Sequence, residues 1–512
     1  MLIKQMFISA VSSATLLSSG MNVGFSAVSL PHMLDPNGPD KLTVDQGSWF
    51  ASITFITILA GCLTCGPLLD KLGRRRTLLL VNIPFVLGWA LQWLAPTPAP
   101  VHMLYLGRLL NGLGGGMVSI PANIYIAEIS SNKMRCMLIT WPSIAFSIGV
   151  LLVYGLGLVT SDWRAIAAIS TFIPVFTAVY VYSCVGESPF WLLSRGRQNE
   201  AEEAFRYVHT CDDRDSLSQE DRSEFESMLK KTNELRSEQE EPLRNGFELS
   251  YGANGTNDSG KEADKDSTVV GGLSSAMSTL KRRDVWKPLV ILNSYFFFMQ
   301  FSGVPVLIAY AVNIIMSEGV SLNPYFATLL VGLVKLFSEI IAGFVQNRYG
   351  RRPMSIGSGI GMALCMVALG LQHQFMSPDN NTQYTPALSW IPLLLIFAYV
   401  ISAAMGFFLL PWAMLGEVYP TEVVGVACGI TTCLGNLFGF VAIKLFPNMV
   451  VLLGGAADNN TINCTEGVFY LYGGITCISV IFIFFFLPET FRRTIQEISQ
   501  EFVNPSRKFT VC

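Results

Sequence analysis

Long apolar runs, each separated from the next by a short polar stretch, fill most of the chain. A bilayer core takes about 20 apolar helical residues, and twelve runs meet that length. They cover approximately 6 to 30, 48 to 69, 77 to 95, 102 to 126, 137 to 160, 164 to 185, 288 to 316, 323 to 346, 354 to 374, 390 to 415, 424 to 453 and 467 to 487. Glycines and prolines inside them are tolerable, because neighbouring helices re-satisfy the freed backbone groups. The pattern predicts an all-α membrane protein of twelve spans. Its N-terminal six-helix half takes residues 1–185 and its C-terminal half 287–490, with a polar loop over 186–286 and a tail over 491–512. Within the loop, Ala201, Ala204, Phe205 and Val208 recur at helical spacing and predict short surface helices. The segment at about 232–272 has too few apolar residues to offset its ordering entropy and reads as a disordered insert.

Composition agrees: of 512 residues, 51% are hydrophobic and 14% charged, against roughly a quarter charged in soluble proteins. A soluble enzyme is a poor reading, and so is a disulfide scaffold, since most of the 11 cysteines sit in apolar runs. The net charge of −3 gives no field for nucleic acid. Lys71, Arg74, Arg75 and Arg76 follow span 2, and Arg348, Arg351 and Arg352 follow span 8, whereas the alternate loops hold little more than Lys41 and Arg164. The positive-inside rule therefore puts both termini in the cytoplasm. The Asn-x-Ser/Thr sites at Asn380, Asn459 and Asn463 fall in loops this rule places outside, and are candidates for glycosylation. Asn254 and Asn257 fall inside and are expected to stay unmodified.

The two halves repeat one another. Gly66-Pro-Leu-Leu-Asp70-Lys-Leu-Gly73-Arg74-Arg75 returns as Gly343-Phe-Val-Gln-Asn347-Arg-Tyr-Gly350-Arg351-Arg352. Glu128 and Arg135 return as Glu417 and Val424, and Gly186 to Pro189 as Leu487 to Thr490. Such a duplication is a transporter architecture, with a substrate site near the midplane between the halves. Together with Gly107 to Gly112 (GRxxxG), Pro121 to Glu128 (PxxxYxxE), Glu187 to Leu192 (ESPxWL), Gln300 to Gly303 (QxSG), Pro411 to Glu417 (PWxxxxE) and Pro488 to Thr490 (PET), these motifs resemble the sugar porters of the major facilitator superfamily. The resemblance runs over nearly the whole chain and extends to the insect facilitated trehalose transporters and the facilitative glucose transporters. It implies alternating-access transport of a hexose, trehalose or related polyol.

Asp70, Arg74, Arg75, Glu128, Arg135, Glu187, Arg351, Arg352, Glu417 and Glu489 all fall at inner helix ends. Ion pairs there form only when those ends approach, so they are expected to favour the outward-open state and to break when the inner side opens. The resemblance implies the same role. Asn347 and Val424 stand where the family has an acid and an arginine, which predicts a weaker latch in the second half.

At about 1.5 Å of rise per residue, Gln300, Asn436 and Ser147 reach roughly the midplane, with Trp412 nearer the inside. Amides donate to and accept from hydroxyls, and an indole face packs on the C–H face of a pyranose. The resemblance matches Gln300, Trp412 and Asn436 to sugar-contacting positions. It also marks departures: Met299 and Pro305 stand where the family has amides, and Ser147 replaces the amide of span 5. Lys335 lies too deep to snorkel, about 22 Å from the turn at Gly350. It reads either as a structural pair with Glu339 one turn away or as a cavity-facing ammonium for an anionic or polyol solute. Lys444, nearer the outer end of span 11, is expected to snorkel.

Proton-coupled sugar porters resemble one another in an acid in span 1. Here Gly24-Phe25-Ser26 occupies that motif and the span has no carboxylate, which favours uniport. A non-transporting nutrient sensor signalling through the polar loop is the alternative. The scattered His32, His102, His209 and His373 suggest no metal site, and no cofactor or catalytic residue is read. The expected partners are a small sugar and the lipid bilayer, with no nucleic acid, around a monomer in the plasma membrane.

Overall fold

The computed structural model describes residues 2–130, 134–209, 222–223, 225–230, 232, 282–346, 348–376, 390–419, 424–458, 461–491, 493 and 495–503. Ten helices among these residues are long and apolar enough to cross a membrane. They account for span 1 (Leu2–Met33), span 2 (Val44–Leu72), span 5 (Trp141–Val159), span 6 (Trp163–Cys184), span 8 (Pro324–Val345), span 9 (Arg351–Met376), span 11 (Val424–Leu452) and span 12 (Glu466–Phe486). Spans 7 and 10 belong with them as broken helices. Span 7 runs Arg283–Phe301 and then Val304–Ser317; span 10 runs Ile391–Ser402, a π-helical turn Ala403–Phe407, and then Leu410–Val418.

The remaining two predicted spans are each present as a helix pair. Span 3 is Arg74–Leu80 followed by Asn82–Trp93, and span 4 is Val101–Val118 followed by Pro121–Ile129. Proline explains both breaks. Pro84 has no N–H for the carbonyl four residues back, so the ladder lapses at Val81, and the Asn82 amide donates to Leu78 O at 2.8 Å nearby. Pro121 opens the second segment of span 4, where an absent N–H costs nothing. Gly303, at φ 101°, separates the segments of span 7; another residue would be strained there, and an added Cβ would lie 3.1 Å from the Tyr472 ring. The π turn of span 10 is stitched by Ser358, whose hydroxyl accepts from Phe407 N at 2.8 Å and donates to Ser402 O at 2.5 Å.

Small residues let helices of one half touch backbone to backbone. A Cβ on Gly149 of span 5 would fall 2.1 Å from Leu17 O of span 1. Between halves, span 2 lies along span 11, span 5 along span 8, and the second segment of span 7 against span 1. Short helices Pro189–Ser194 and Gln198–His209 follow span 6, the second burying Ala201, Phe205 and Val208. A tail helix, Ile495–Val503, docks on span 7 where Lys287 Nζ donates to Phe502 O at 2.8 Å. These pieces lie with Leu2 and the arginine-rich turns at one end of the bundle, called here the inner end. At the other end, strands Ala456–Asp458 and Thr461–Asn463 form an antiparallel hairpin, a non-helical element the hydropathy pattern did not predict. The insert at about 232–272 lies outside the described residues except for Thr232.

Candidate functional site

A cavity of about 240 Å³ lies between the halves, from mid-depth toward the inner end. Its apolar wall includes Phe55, Ile58, Phe146, Met299, Pro305 and Trp412; Ser19, Ser143, Gln300, Glu339, Thr432 and Asn436 are among its polar groups. Three of the five substrate residues expected from sequence therefore meet here. Gln300 and Asn436 are held by span 11: their amide nitrogens donate to Gly435 O at 2.9 Å and Thr432 O at 2.8 Å. Each nitrogen spends one N–H in this way, so both side chains keep a carbonyl oxygen and a second N–H for a solute. Trp412 is fixed edge-on to Phe296, with ring centroids 4.8 Å apart, and remains 36% exposed.

The other two substrate candidates lie behind the wall. Lys335 Nζ donates to Glu339 Oε1 at 2.5 Å and to Ser147 Oγ at 2.5 Å, and the Ser147 hydroxyl donates to Glu339 Oε2. Lysine and glutamate are one helical turn apart on span 8, while the serine comes from span 5 of the other half. Lys335 is paired with Glu339 and with it lines a smaller cavity of about 30 Å³ next to the central one, and the charged group in the central cavity's wall is Glu339.

The inner-end charges form two related networks. In the first half Arg74 grips Glu128 with Nη2 at 2.7 Å and Nε at 3.1 and 3.2 Å, Ser188 donates to the same carboxylate, and Glu187 accepts from the Arg74 and Arg75 N–H groups at 2.7 and 3.2 Å. Gly73 fits under this carboxylate, since a Cβ there would come 2.4 Å from Glu187 Oε2. In the second half Arg351 reaches Glu417 with Nη2 at 2.9 Å, Thr490 donates to Glu417 at 2.6 Å, and Glu489 accepts from the Arg351 and Arg352 N–H groups at 2.8 and 3.1 Å. Arg75 and Arg352 turn away to donate to the Tyr182 and Phe484 carbonyls. Asp70 takes part through its backbone oxygen, which accepts from Trp191 and Arg195. The side chains of Arg135 and Val424, and Asn347 entirely, lie outside the described residues.

Each of these pairs joins residues of one half. Contacts from one half to the other lie at the outer side. Tyr154 OH donates to Ile308 O at 2.9 Å, Tyr325 OH meets His32 Nε2 at 2.8 Å, and Lys444 Nζ donates to Asp45 Oδ1 at 2.6 Å and Ser48 Oγ at 2.7 Å; all of these cross from half to half. Lys444 does reach toward the outer end, as expected, but it ends on a carboxylate rather than in open water. Of the glycosylation candidates, Asn463 is exposed on the hairpin, whereas Asn380 and Asn459, like Asn254 and Asn257, lie outside the described residues.

A family model described as "Sugar (and other) transporter" matches residues 10–502. The chain belongs to the sugar transporter family. Among curated relatives, a facilitated trehalose transporter of Apis mellifera ligustica is 27% identical over 98% of this chain and 88% of its own length. One of Aedes aegypti is 27% identical over 96% of this chain, which spans about half, 54%, of that relative. Among solved structures, the inward open conformation of the xylose transporter XylE from E. coli aligns at a TM-score of 0.69, with 20% identity, over 97% of this chain and 99% of that one. Its partially occluded inward open conformation aligns at 0.68, with 20% identity, over 96% and 99%. These structures carry the fold, the twelve-span, two-half arrangement of the major facilitator superfamily.

Two residues of this sugar transporter family member escaped the sequence reading. Glu339 was seen as a partner for Lys335, not as part of the cavity wall. Arg108 was seen as a letter in GRxxxG. It is buried in span 4, where its guanidinium donates to Asn22 O at 2.5 Å, Asn22 Oδ1 at 2.7 Å, Phe50 O at 3.0 Å and Ser26 Oγ at 3.3 Å, each a neutral acceptor. The signal was present: an arginine seven residues into an apolar run is as conspicuous as Lys335. Arg108 ties span 1 to spans 2 and 4 and lies outside the cavity lining.

Proposed function

We propose that the chain is a facilitative carrier of a neutral sugar or polyol, working as a uniporter by alternating access. The observation that carries this is the convergence of Gln300, Asn436 and Trp412 on one cavity between the halves, two amide oxygens and an indole around a mostly apolar space. Hydroxyls donate to the oxygens, and the indole and its apolar neighbours take the C–H face of the ring. Span 1 adds support for uniport, since Arg108 there meets Asn22 and Ser26, which do not titrate. The trehalose transporters among its relatives make trehalose a first solute to try, beside glucose and a polyol such as inositol. The positive-inside rule supports cytoplasmic termini, with Asn380, Asn459 and Asn463 glycosylated on the far side, in a plasma-membrane monomer.

Counterflow in proteoliposomes tests this. Labelled sugar is expected to accumulate transiently against unlabelled sugar inside, without an imposed proton gradient. Binding without flux would favour the nutrient sensor, and uptake that rises with a proton gradient at zero membrane potential would overturn uniport. Loss of an endoglycosidase-sensitive mass shift in Asn463→Gln would support the assigned orientation of the hairpin.

A further inference from the structure

Among the described residues lining the central cavity, one carries a formal charge, and it is Glu339. The cavity is also short of the amides that the family resemblance predicts, because Met299 and Pro305 line it as apolar groups. What remains is biased toward acceptors. Gln300 and Asn436 each spend one N–H on a span 11 carbonyl, which leaves each with one N–H against the two lone pairs of its amide oxygen. A carboxylate accepts at about four lone-pair sites. The Glu339 bonds described, from Lys335 and Ser147, use two, and its side chain stands in the cavity wall.

Resting on the sugar-carrier reading, we propose that Glu339 is a substrate-contacting residue that accepts hydroxyl donors of the solute, and that Lys335 and Ser147 are the positioning residues that aim it. Lys335 cancels the carboxylate charge at 2.5 Å, so the site as a whole is neutral and selects donor-rich neutral solutes rather than cations. Its ammonium is itself placed, 5.6 Å from the centre of the Phe146 ring and bonded to Ser147 across the boundary between halves. The solute is thus recognised by its O–H donors: replacing a contacted hydroxyl by fluorine, which keeps size and polarity but cannot donate, should be as harmful as deleting it.

The test uses full-length protein in proteoliposome counterflow, with the best-carried sugar of the trehalose, glucose and inositol set and its deoxy and deoxyfluoro analogues. Removing Glu339 alone would strand Lys335, so both members are replaced together as Lys335→Met/Glu339→Leu. A hydrogen bond to a charged group predicts a KM raised about 10- to 100-fold for the parent sugar. For the analogue already lacking the contacted hydroxyl, KM should be within about twofold of wild type, because the lost contacts are the same one. A purely structural pair would instead alter KM for parent and analogue alike, or neither, and either result overturns the inference while leaving the sugar-carrier reading intact. If that variant does not reach the membrane folded, Lys335→Met/Glu339→Met, which keeps side-chain length but supplies no carboxylate or amide acceptor, carries the same comparison. Wild-type protein that exchanges none of the three sugars overturns both.

Discussion

At the inner end of the bundle, charged side chains bind partners in their own half; at the outer end, Lys444, His32 and Tyr154 bind partners in the other half. The difference assigns separate work to the two ends. Pairs within a half would survive a rocking of the halves and keep each one rigid, whereas in the proposed carrier pairs across the halves must be made and broken in every cycle. Alternating access requires a two-state element whose equilibrium each contact biases. In the carrier proposed above that element is the outer closure, held by a buried tyrosine bond, a tyrosine–histidine bond and one exposed ion pair. The inner networks also differ between themselves. Glu128 is 14% exposed and held by both Nε and Nη2 of Arg74, while Glu417 is 31% exposed and takes one close bond from Arg351.

The largest expected effect tests that inner contrast. Arg74→Ala leaves a buried carboxylate uncompensated, and should lower stability by about 3 kcal/mol or more, read as thermal unfolding of the purified protein. Arg351→Ala should cost clearly less, about 1 kcal/mol, because water reaches Glu417. Equal losses would erase the distinction between the halves.

Next comes Tyr154→Phe, which removes the buried hydroxyl that donates to Ile308 O and should shift the population toward outward-open by about 1 kcal/mol, near fivefold. Reaction of a thiol introduced on the outer side of the cavity should quicken accordingly, with thermal stability little changed. Lys444→Ala should act in the same direction but by less than about 1 kcal/mol, since Asp45 is 73% exposed. High salt should mimic it. A faster thiol reaction in Arg74→Ala than in these two would show that the inner networks, and not the outer contacts, set the state.

The outer end also has a staple within the first half, Asp40, whose effect is read from its pH dependence. Burial pushes its carboxyl up, but hydrogen bonds from Arg164, the Ala99 N–H and Trp163, with the guanidinium charge, outweigh it and hold the carboxyl below the ordinary value. A depressed carboxylate contributes its stability in full above the unfolded value near 3.8 and loses it as pH falls through the folded value. Unfolding temperatures of wild type and Asp40→Asn should therefore converge only on the acid side of that value. Convergence already at neutral pH would mean that the staple contributes nothing.

Much of this fold was legible because a bilayer makes hydropathy decisive, and all twelve predicted runs contain helices where expected. The breaks were less legible. Pro84 acts on a carbonyl four residues back, and Gly303 works through a backbone angle, neither of which a hydropathy window weighs. In the site, Gln300 and Asn436 could be placed by depth, and the Lys335–Glu339 pair by one turn of helix. Ser147 as their third member could not, since it is 188 residues from Lys335 and arrives from another half.

The sequence by itself determined the spans, their order, the duplication and the residues able to carry charge at each depth, because these follow from local helix geometry and the cost of polar groups in lipid. Only the tertiary structure decided who pairs with whom. Whether an arginine at a helix end pairs within its own half or with the other, and whether lysine or glutamate lines the central cavity, depends on distances of a few ångströms between segments far apart in the chain. Electrostatic and hydrogen-bond energies fall away over those same few ångströms.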